Sequence, residues 1–251
     1  MHRFYLPPSE CTGDLLQLSE REAHHAANVL RVRTGEQIVI LDGAGTELLC
    51  KVEAVEKKRV QVSVTERKQV APLPFSITLL QAIPKGKIIE DIIQKATELG
   101  VSRIVPLLSE RVATRLDPES AADKASKWRQ VAIEAIKQCG AVWLPKIEGP
   151  ITPEQFLARN ERFDLPLIGS LQPGAKHPRI FFQQFEADHS RKPESVCIWI
   201  GPEGDFTPQE VESAINAGAH PITLGRLVLR VETAATFCLS VSNYELLAPR
   251  D

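Results

Sequence analysis

The chain has 251 residues, of which 43% are hydrophobic and 25% charged, and its formal net charge is −2. This composition is typical of a globular protein with one large domain or two smaller ones. A balance so close to neutral excludes a protein that coats nucleic acid indiscriminately, so any RNA or DNA must be recognised by local basic patches.

Cysteine content and hydropathy indicate in which cellular compartment the protein works. An odd number of cysteines, none at metal-ligand spacing, indicates reduced and mostly buried thiols: Cys11, Cys50, Cys139, Cys197 and Cys238. The first ten residues lack the apolar core of a secretory signal. No apolar run approaches the roughly 20 residues that span a bilayer. We therefore expect a cytoplasmic protein with no membrane segment and no metal site.

Residues 1–72 are predicted to form a small β-rich domain. The segment 19–35 (SEREAHHAANVLRVRTG) favours a short helix, with Ser19 as N-cap and Glu22 completing a capping box. Residues 35–67 alternate apolar and polar side chains in three short runs, with turns at Asp42-Gly43 and at 57–59. Three strands of this length indicate a small barrel.

The proline-bearing segment 70–76 (VAPLPFS) is the best domain boundary. After it, apolar strands alternate with helices, which predicts a mainly parallel sheet covered on both faces. The predicted strands are 77–84, 103–109, 163–170, 196–204 and 221–225, and the predicted helices are 87–99, 121–139, 208–217 and 231–247.

The stretch IWIGPEGDFTPQEV (198–211) joins a strand to a helix through a glycine-rich loop. Thr207 is a strong N-cap, and Glu210 three residues later completes a capping box. The loop lacks the lysine and hydroxyl residue of a phosphate-binding loop, and Glu203 repels anions. Two interpretations remain, a tight structural turn or a site that binds a neutral or cationic ligand through backbone groups.

A second unusual strand end is TLGRLVLRVETAA (223–235). Gly225 ends a strand, and Arg230 and Glu232 flank the start of the last helix. This pair is either a surface ion pair of little energetic value or part of a site at the carboxyl ends of the strands.

Both turns, in this order, resemble the "GPEGG" and "LGxRILRxETA" motifs of the RsmE family of ribosomal RNA uridine-N3 methyltransferases, which belong to the knotted SPOUT class. Three further blocks resemble that family: 24–45 (HHAANVLRVRTGEQIVILDGAG), 83–112 (with QKATELGV and SER) and 127–140 (KWRQVAIEAIKQCG). The resemblance implies a PUA-like RNA-binding domain at 1–72 and an α/β SPOUT methyltransferase domain at 73–251 with a deep trefoil knot. It also implies a homodimer that uses S-adenosylmethionine to make N3-methyluridine in 16S rRNA of the small ribosomal subunit.

The resemblance also implies site residues. The cofactor pocket would be formed by Gly169, Ser170, Ile200, Gly201, Pro202, Glu203, Gly204, Leu224, Gly225, Leu229 and Arg230. We expect Arg230 to stabilise charge on the uracil oxygens or clamp the substrate, with Glu232 as its orienting partner; the general base stays open. The basic residues expected to contact RNA are Arg3, Arg31, Lys85 and Arg111.

Three positions depart from the family pattern. Asp205 replaces the second glycine of "GPEGG", Leu227 stands where arginine is frequent, and Ala141 replaces a basic residue after Cys139-Gly140. Two other functions therefore stay open: a knotted methyltransferase acting on another RNA base, and a non-catalytic RNA-binding relative that aids ribosome assembly.

Overall fold

The computed structural model describes residues 1–56, 58–112 and 118–247 and divides them into two compact units. The first comprises Met1–Pro72 together with Ile133–Leu144, and the second begins at Leu73 and holds the remaining described residues. The segment Ile133–Leu144 thus groups with the first unit, although the predicted limits 1–72 and 73–251 place it in the second. The roles assigned to the two domains stay predictions.

The first unit is built on a five-stranded sheet in the order β1-β3-β4-β5-β2. Its strands are β1 (His2–Tyr5), β2 (Leu15–Gln17), β3 (Gln37–Leu41), β4 (Thr46–Glu56) and β5 (Arg59–Gln69). The strands β3, β4 and β5 confirm the predicted runs. Prediction missed β1 and β2, because four and three residues are too few to show an alternating pattern.

Both predicted turns lie between these strands. Asp42 Oδ1 accepts hydrogen bonds from the backbone N–H groups of Ala44, at 2.7 Å, and Thr46, at 2.8 Å, which closes the β3–β4 hairpin. The second predicted turn joins β4 to β5, and its first residue, Lys57, lies outside the described residues.

The predicted N-terminal helix is α1 (Glu20–His24), followed by a π-helical segment (His25–Leu30). Ser19 is the N-cap, since its hydroxyl accepts from the Glu22 backbone N–H at 3.3 Å. The predicted capping box is wrong in its second half. The Glu22 carboxylate instead accepts from Lys137 Nζ at 2.9 Å, because a buried ammonium is a stronger partner than a solvent-accessible helix end.

The second unit holds a six-stranded sheet in the order β11-β9-β10-β6-β7-β8, and every described strand pair in it is parallel, as predicted. Its strands are β6 (Ser76–Ala82), β7 (Arg103–Leu107), β8 (Lys146–Ile147), β9 (Leu165–Gly169), β10 (Ser195–Ile200) and β11 (His220–Ile222). The central strands β6 and β10 are almost wholly buried, as expected for a sheet covered on both faces.

Six helices follow in chain order: α2 (Ile88–Glu98), α3 (Pro118–Cys139), α4 (Pro153–Leu157), α5 (Pro178–His189), α6 (Pro208–Asn216) and α7 (Val231–Leu247). Four of them confirm the predicted helices. Prediction missed α4 and α5, although Pro178 at the first helical position and the buried phenylalanines of α5 were usable signals. Helix α7 packs against β10, β6 and α2. The trefoil knot stays a prediction.

The helices of the described part of the chain vary in length and hydropathy. None of them combines the length and the apolar character that crossing a bilayer requires.

A buried ion pair stabilises the first unit. Lys137 Nζ lies 2.9 Å from Glu22 Oε1 and 3.0 Å from Glu134 Oε2, and the side chains of Lys137 and Glu22 are only 7% and 5% exposed. Arg3 Nη1 donates to the carbonyl oxygens of Lys137, at 3.4 Å, and Gln138, at 3.2 Å. A cation at a helix C-terminus neutralises the partial negative charge of the last carbonyls, so strand β1 and the end of α3 are joined electrostatically.

Removing Glu22 leaves the buried Lys137 ammonium with only the half-exposed carboxylate of Glu134 as a counter-charge among the described residues. We expect Glu22→Ala to lower the free energy of unfolding by about 3 kcal/mol, measured by urea denaturation. The matched control is Glu20→Ala on the same helix. Its pair with Lys58 is 73% and 78% exposed, and its loss changes stability by less than about 0.5 kcal/mol. Equal effects of the two substitutions contradict the structural role of the buried pair.

Candidate functional site

A cavity of about 800 Å³ opens in the second unit at the carboxyl ends of three strands. It is lined by the loops that follow β9, β10 and β11, at residues 169–175, 200–203, 205 and 223–232, with Ile88 and Ala234 completing the wall. Parallel strands place their carboxyl ends at one edge of the sheet, where ligand sites of α/β proteins form.

Ten of the eleven predicted pocket residues line this cavity: Gly169, Ser170, Ile200, Gly201, Pro202, Glu203, Leu224, Gly225, Leu229 and Arg230. The exception is Gly204, which lies outside the lining and whose carbonyl oxygen accepts from Arg111 Nη1 at 2.8 Å. Sequence reasoning missed the 171–175 loop and Ile88, which only the fold brings to the cavity.

The loop after β10, residues 201–205, is a tight turn. The Asp205 N–H donates to the Pro202 carbonyl oxygen at 2.9 Å, and Asp205 Oδ1 accepts from the Phe206 N–H at 2.8 Å. Asp205 has φ of 58°, in the left-handed region that glycine favours. Its side-chain hydrogen bond compensates for the missing glycine, which gives a structural reason for this departure from the family pattern.

The first residue of the loop, Gly201, is closely packed against the turn. A Cβ atom at Gly201 would lie 3.0 Å from Asp205 Oδ1 and 3.1 Å from the Phe206 backbone nitrogen. Both atoms take part in the turn or lie next to it, so a side chain at this position would displace them by a few tenths of an ångström.

The loop ends at a complete capping box, as predicted. Thr207 Oγ1 accepts from the Glu210 N–H at 3.2 Å, and Glu210 Oε2 accepts from the Thr207 N–H at 2.8 Å. The other oxygen of this buried carboxylate accepts from the Glu110 N–H at 2.9 Å. Helix α6 and the segment after β7 are thereby tied together behind the loop.

The loops after β9 and β11 are joined by backbone hydrogen bonds. The Ser170 N–H donates to the Ile222 carbonyl oxygen at 3.0 Å, and the Thr223 N–H donates to the Lys176 carbonyl oxygen at 3.0 Å. Gly225 has φ of 117°, which few residues other than glycine tolerate. The loops after β9 and β11 therefore form one continuous surface.

The lining of the cavity is mainly apolar and carries charges of both signs. Aliphatic side chains and glycine backbone groups cover most of the surface. The charged groups among the described lining residues are three carboxylates and two guanidinium groups: Glu203, Asp205 and Glu232, and Arg226 and Arg230. A ring stacked between aliphatic side chains and fixed by a few backbone hydrogen bonds is a common mode of nucleoside binding.

Arg230 and Glu232 both line the cavity, but the structure does not pair them. Arg230 is exposed and forms no side-chain hydrogen bond or ion pair with any described residue, while Glu232 is half-buried. The pKa of Lys95 is raised, first by its hydrogen bond to Asp91 and also by the charge of Glu232. The charge of Glu232 thus acts on Lys95 of α2, and its carboxylate forms no hydrogen bond or ion pair with Arg230 among the described residues.

The four basic residues expected to contact RNA have different environments. Lys85 and Arg111 are exposed and belong to segments bonded to the 201–205 loop. Arg31 is exposed, with φ of 55°, at the end of the π-helical segment. Arg3 is already engaged with the carbonyl oxygens at the end of α3.

The structure also shows what surrounds Leu227 and Ala141, the other two residues that depart from the family pattern. Leu227 is 78% exposed in the cavity loop beside the exposed Arg226. Ala141 packs against the apolar cluster of Tyr5, Ile133 and Ile136. The missing basic group at residue 141 is therefore replaced by apolar packing.

Comparison with known proteins gives consistent similarities. Residues 71–243 match the model of an RNA methyltransferase domain, and residues 18–65 match an RNA methyltransferase PUA domain. Ribosomal RNA small subunit methyltransferase E of Bacillus subtilis is 32% identical, over 91% of this chain and 89% of that protein. The corresponding protein of Synechocystis is 30% identical over 96% of this chain and 77% of its own length.

A solved structure is similar over almost the whole chain. Ribosomal RNA small subunit methyltransferase E from Neisseria gonorrhoeae, bound to S-adenosyl methionine, is 31% identical with a TM-score of 0.83. The similarity covers 97% of each chain.

The geometry of Asp205 predicts an unusual order of stabilities. Asp205→Ala keeps a β-carbon in the left-handed region and loses the hydrogen bond to Phe206, so we expect a loss of about 1 kcal/mol in unfolding free energy. Asp205→Gly loses the same bond but removes about 1 kcal/mol of backbone strain, so its stability stays near that of the wild type. Urea denaturation of both variants tests this order, and a glycine variant less stable than the alanine variant contradicts it.

Proposed function

We propose that this chain, which belongs to the RsmE family of small-subunit ribosomal RNA methyltransferases, methylates N3 of one uridine in 16S rRNA. The methyl donor is S-adenosylmethionine. The observation that carries the proposal is the cavity itself. Its walls are the loops that hold both sequence motifs, GPEGD and LGRLVLRVETA.

The residues present suit this donor. When bound, S-adenosylmethionine supplies an electrophilic methyl group on a sulfonium centre. Leu224 and Leu229 offer apolar faces for the adenine ring, and the backbone around Gly169, Gly201 and Gly225 offers hydrogen-bonding groups without side chains in the way. The acidic lining suits a cationic ligand, and no lysine is among its described residues.

Arg230 is proposed to act on the acceptor base. Uridine N3 carries an imide proton, and negative charge spreads onto the flanking carbonyl oxygens when that proton is lost. A guanidinium group presents planar paired donors that match such oxygens and stabilise developing charge. Because Arg230 is exposed at the cavity and pairs with no described side chain, it can turn to the substrate.

Glu232 is proposed to act as the general base at the same site. It lines the cavity two residues after Arg230, at the start of α7. Without an ion pair to Arg230, its carboxylate is a candidate to accept the N3 proton, and the general base is otherwise open.

RNA binding is proposed to rest on phosphate contacts from Lys85, Arg111 and Arg31, which are all exposed. Such contacts fix register on the RNA and carry no sequence information by themselves. Arg3 is the least suited of the four candidates, since its guanidinium already serves the end of α3.

The homodimer, the trefoil knot and the cytoplasmic location belong to the same proposal. A homodimer is supported by large apolar side chains that are exposed along α7 and the cavity loop: Leu227, Val228, Tyr244 and Leu247. They lie near the two ends of α7, and exposed large apolar side chains are of the kind found in interaction surfaces.

The reaction product is tested in cells. We expect rRNA from a strain lacking this gene to lose N3-methyluridine from its small-subunit RNA, and purified protein with S-adenosylmethionine to restore it, as read by nucleoside mass spectrometry. Loss of a different methylated nucleoside assigns another target base. Unchanged nucleosides together with no donor binding in calorimetry assign a non-catalytic RNA-binding role.

The role of Arg230 is tested by Arg230→Ala. We expect the methylation rate at saturating donor and RNA to fall about 100-fold, because one charge-stabilising group in a catalytic site is commonly worth that much. The control is Arg162→Ala, an exposed arginine away from this cavity, with an unchanged rate. A rate for Arg230→Ala equal to that of the control removes Arg230 from the mechanism.

A further inference from the structure

Glu203, at the centre of the GPEGD loop, is bonded to a segment 118 residues earlier in the chain. Its Oε1 atom accepts a hydrogen bond of 2.9 Å from the backbone N–H of Lys85. A carboxylate that accepts from a backbone N–H makes one of the stronger hydrogen bonds in proteins. The acidic side chain of the loop is therefore already committed to a neighbour within the protein.

The segment that Glu203 holds, Lys85–Lys87, has few other fixed contacts. It links the end of β6 to the start of α2. Gly86 has φ of 67° and open space around its Cβ position. Lys87 is the N-cap residue of α2, but its side chain makes no capping hydrogen bond. Without the Glu203 bond, this segment would depend on its two ends alone for its conformation.

Cations are concentrated on both sides of the loop. Lys85 and Lys87 are exposed, and neither forms an ion pair with a residue that the structure describes. On the other side, Arg111 Nη1 donates to the Gly204 carbonyl oxygen. Three exposed cations thus belong to segments bonded to the loop, in a chain of net charge −2, and clustered cations are what a phosphate backbone binds.

A role for Glu203 as a counter-charge to the donor is less well supported. The side chain is exposed, and two charges 4 Å apart in water attract each other by only about 1 kcal/mol. Oε1 of Glu203 already accepts from the Lys85 backbone N–H. Two other carboxylates of the lining, Asp205 and Glu232, are more buried.

We propose that Glu203 is a positioning residue, whose carboxylate fixes the Lys85–Lys87 segment beside the cavity and so presents its two ammonium groups to the phosphates of the rRNA. The inference rests on the proposed function, since it requires an RNA substrate at this cavity. It gives the GPEGD loop two roles, because one side lines the donor cavity and the other holds the RNA-contacting segment.

Two substitutions distinguish a positioning role of Glu203 from a role as counter-charge to the methyl donor. Glu203→Gln removes the charge but keeps an oxygen that can accept from the Lys85 N–H, whereas Glu203→Ala removes both. Binding of small subunits from the deletion strain is measured at several salt concentrations, and S-adenosylmethionine affinity is measured separately by calorimetry. Glu212→Ala, an exposed glutamate on α6, is the control and binds both ligands as the wild type does.

We expect Glu203→Ala to weaken subunit binding about tenfold, as loss of a charged hydrogen bond would, and Glu203→Gln to weaken it by less than about threefold. The slope of log affinity against log salt should fall by about 0.7 to 0.9 for each phosphate that the Glu203→Ala variant no longer neutralises. Donor affinity should change by less than about threefold in both variants. Equal losses of donor affinity in both variants, or unchanged subunit binding by Glu203→Ala, overturn the proposal.

A double-mutant cycle tests the connection through Lys85. Lys85→Ala removes the ammonium group but keeps the backbone N–H, so the Glu203 hydrogen bond survives. If Glu203 acts through this segment, the double variant binds subunits about as weakly as whichever single variant has the lower affinity. Fully additive losses overturn the inference. These are equilibrium binding measurements, so a wild type that binds both ligands but makes no N3-methyluridine contradicts the proposed function and not the positioning role.

Discussion

The parallel direction of every described strand pair in the second unit is the constraint on which the site depends. Because β9, β10 and β11 run the same way, their carboxyl ends meet at one edge, and three loops far apart in sequence form one cavity. The central strand β10 is almost wholly buried and contributes little chemistry itself. The functional groups are therefore confined to the loops, where backbone and side chains remain accessible.

The loop after β10 shows how such a loop becomes rigid without a core of its own. Hydrogen bonds hold it at the turn, at the capping box and at its contacts with the segments after β6 and β7. Several of these bonds use side-chain carboxylates as acceptors for backbone N–H groups, so acidic residues here have structural roles first. A cavity wall fixed in advance loses less conformational entropy when a ligand binds.

The cations of this chain also divide into structural and available groups. Lys137 and Arg3 satisfy a buried carboxylate and the carbonyl oxygens of a helix end in the first unit, whereas Lys85, Arg31 and Arg230 remain exposed. Net charge gives no sign of this division. A nearly neutral protein can thus hold a basic patch at its site, because many of its other charges form ion pairs within the fold.

The sequence by itself determined the parallel sheet, five of its strands, five helices, the N-cap residues Ser19 and Thr207, and two of the loops that line the cavity. These features arise from local periodicity and local hydrogen bonding. It did not reveal β1, β2, β8 or α4, which are too short to carry a period. Only the tertiary structure decided the partners of charged side chains: Glu22 bonds Lys137 instead of completing a cap, Arg230 and Glu232 stay apart, and Glu203 holds the Lys85 backbone. The Glu22–Lys137 and Glu203–Lys85 bonds join residues more than a hundred positions apart, so they depend on packing that no local pattern records.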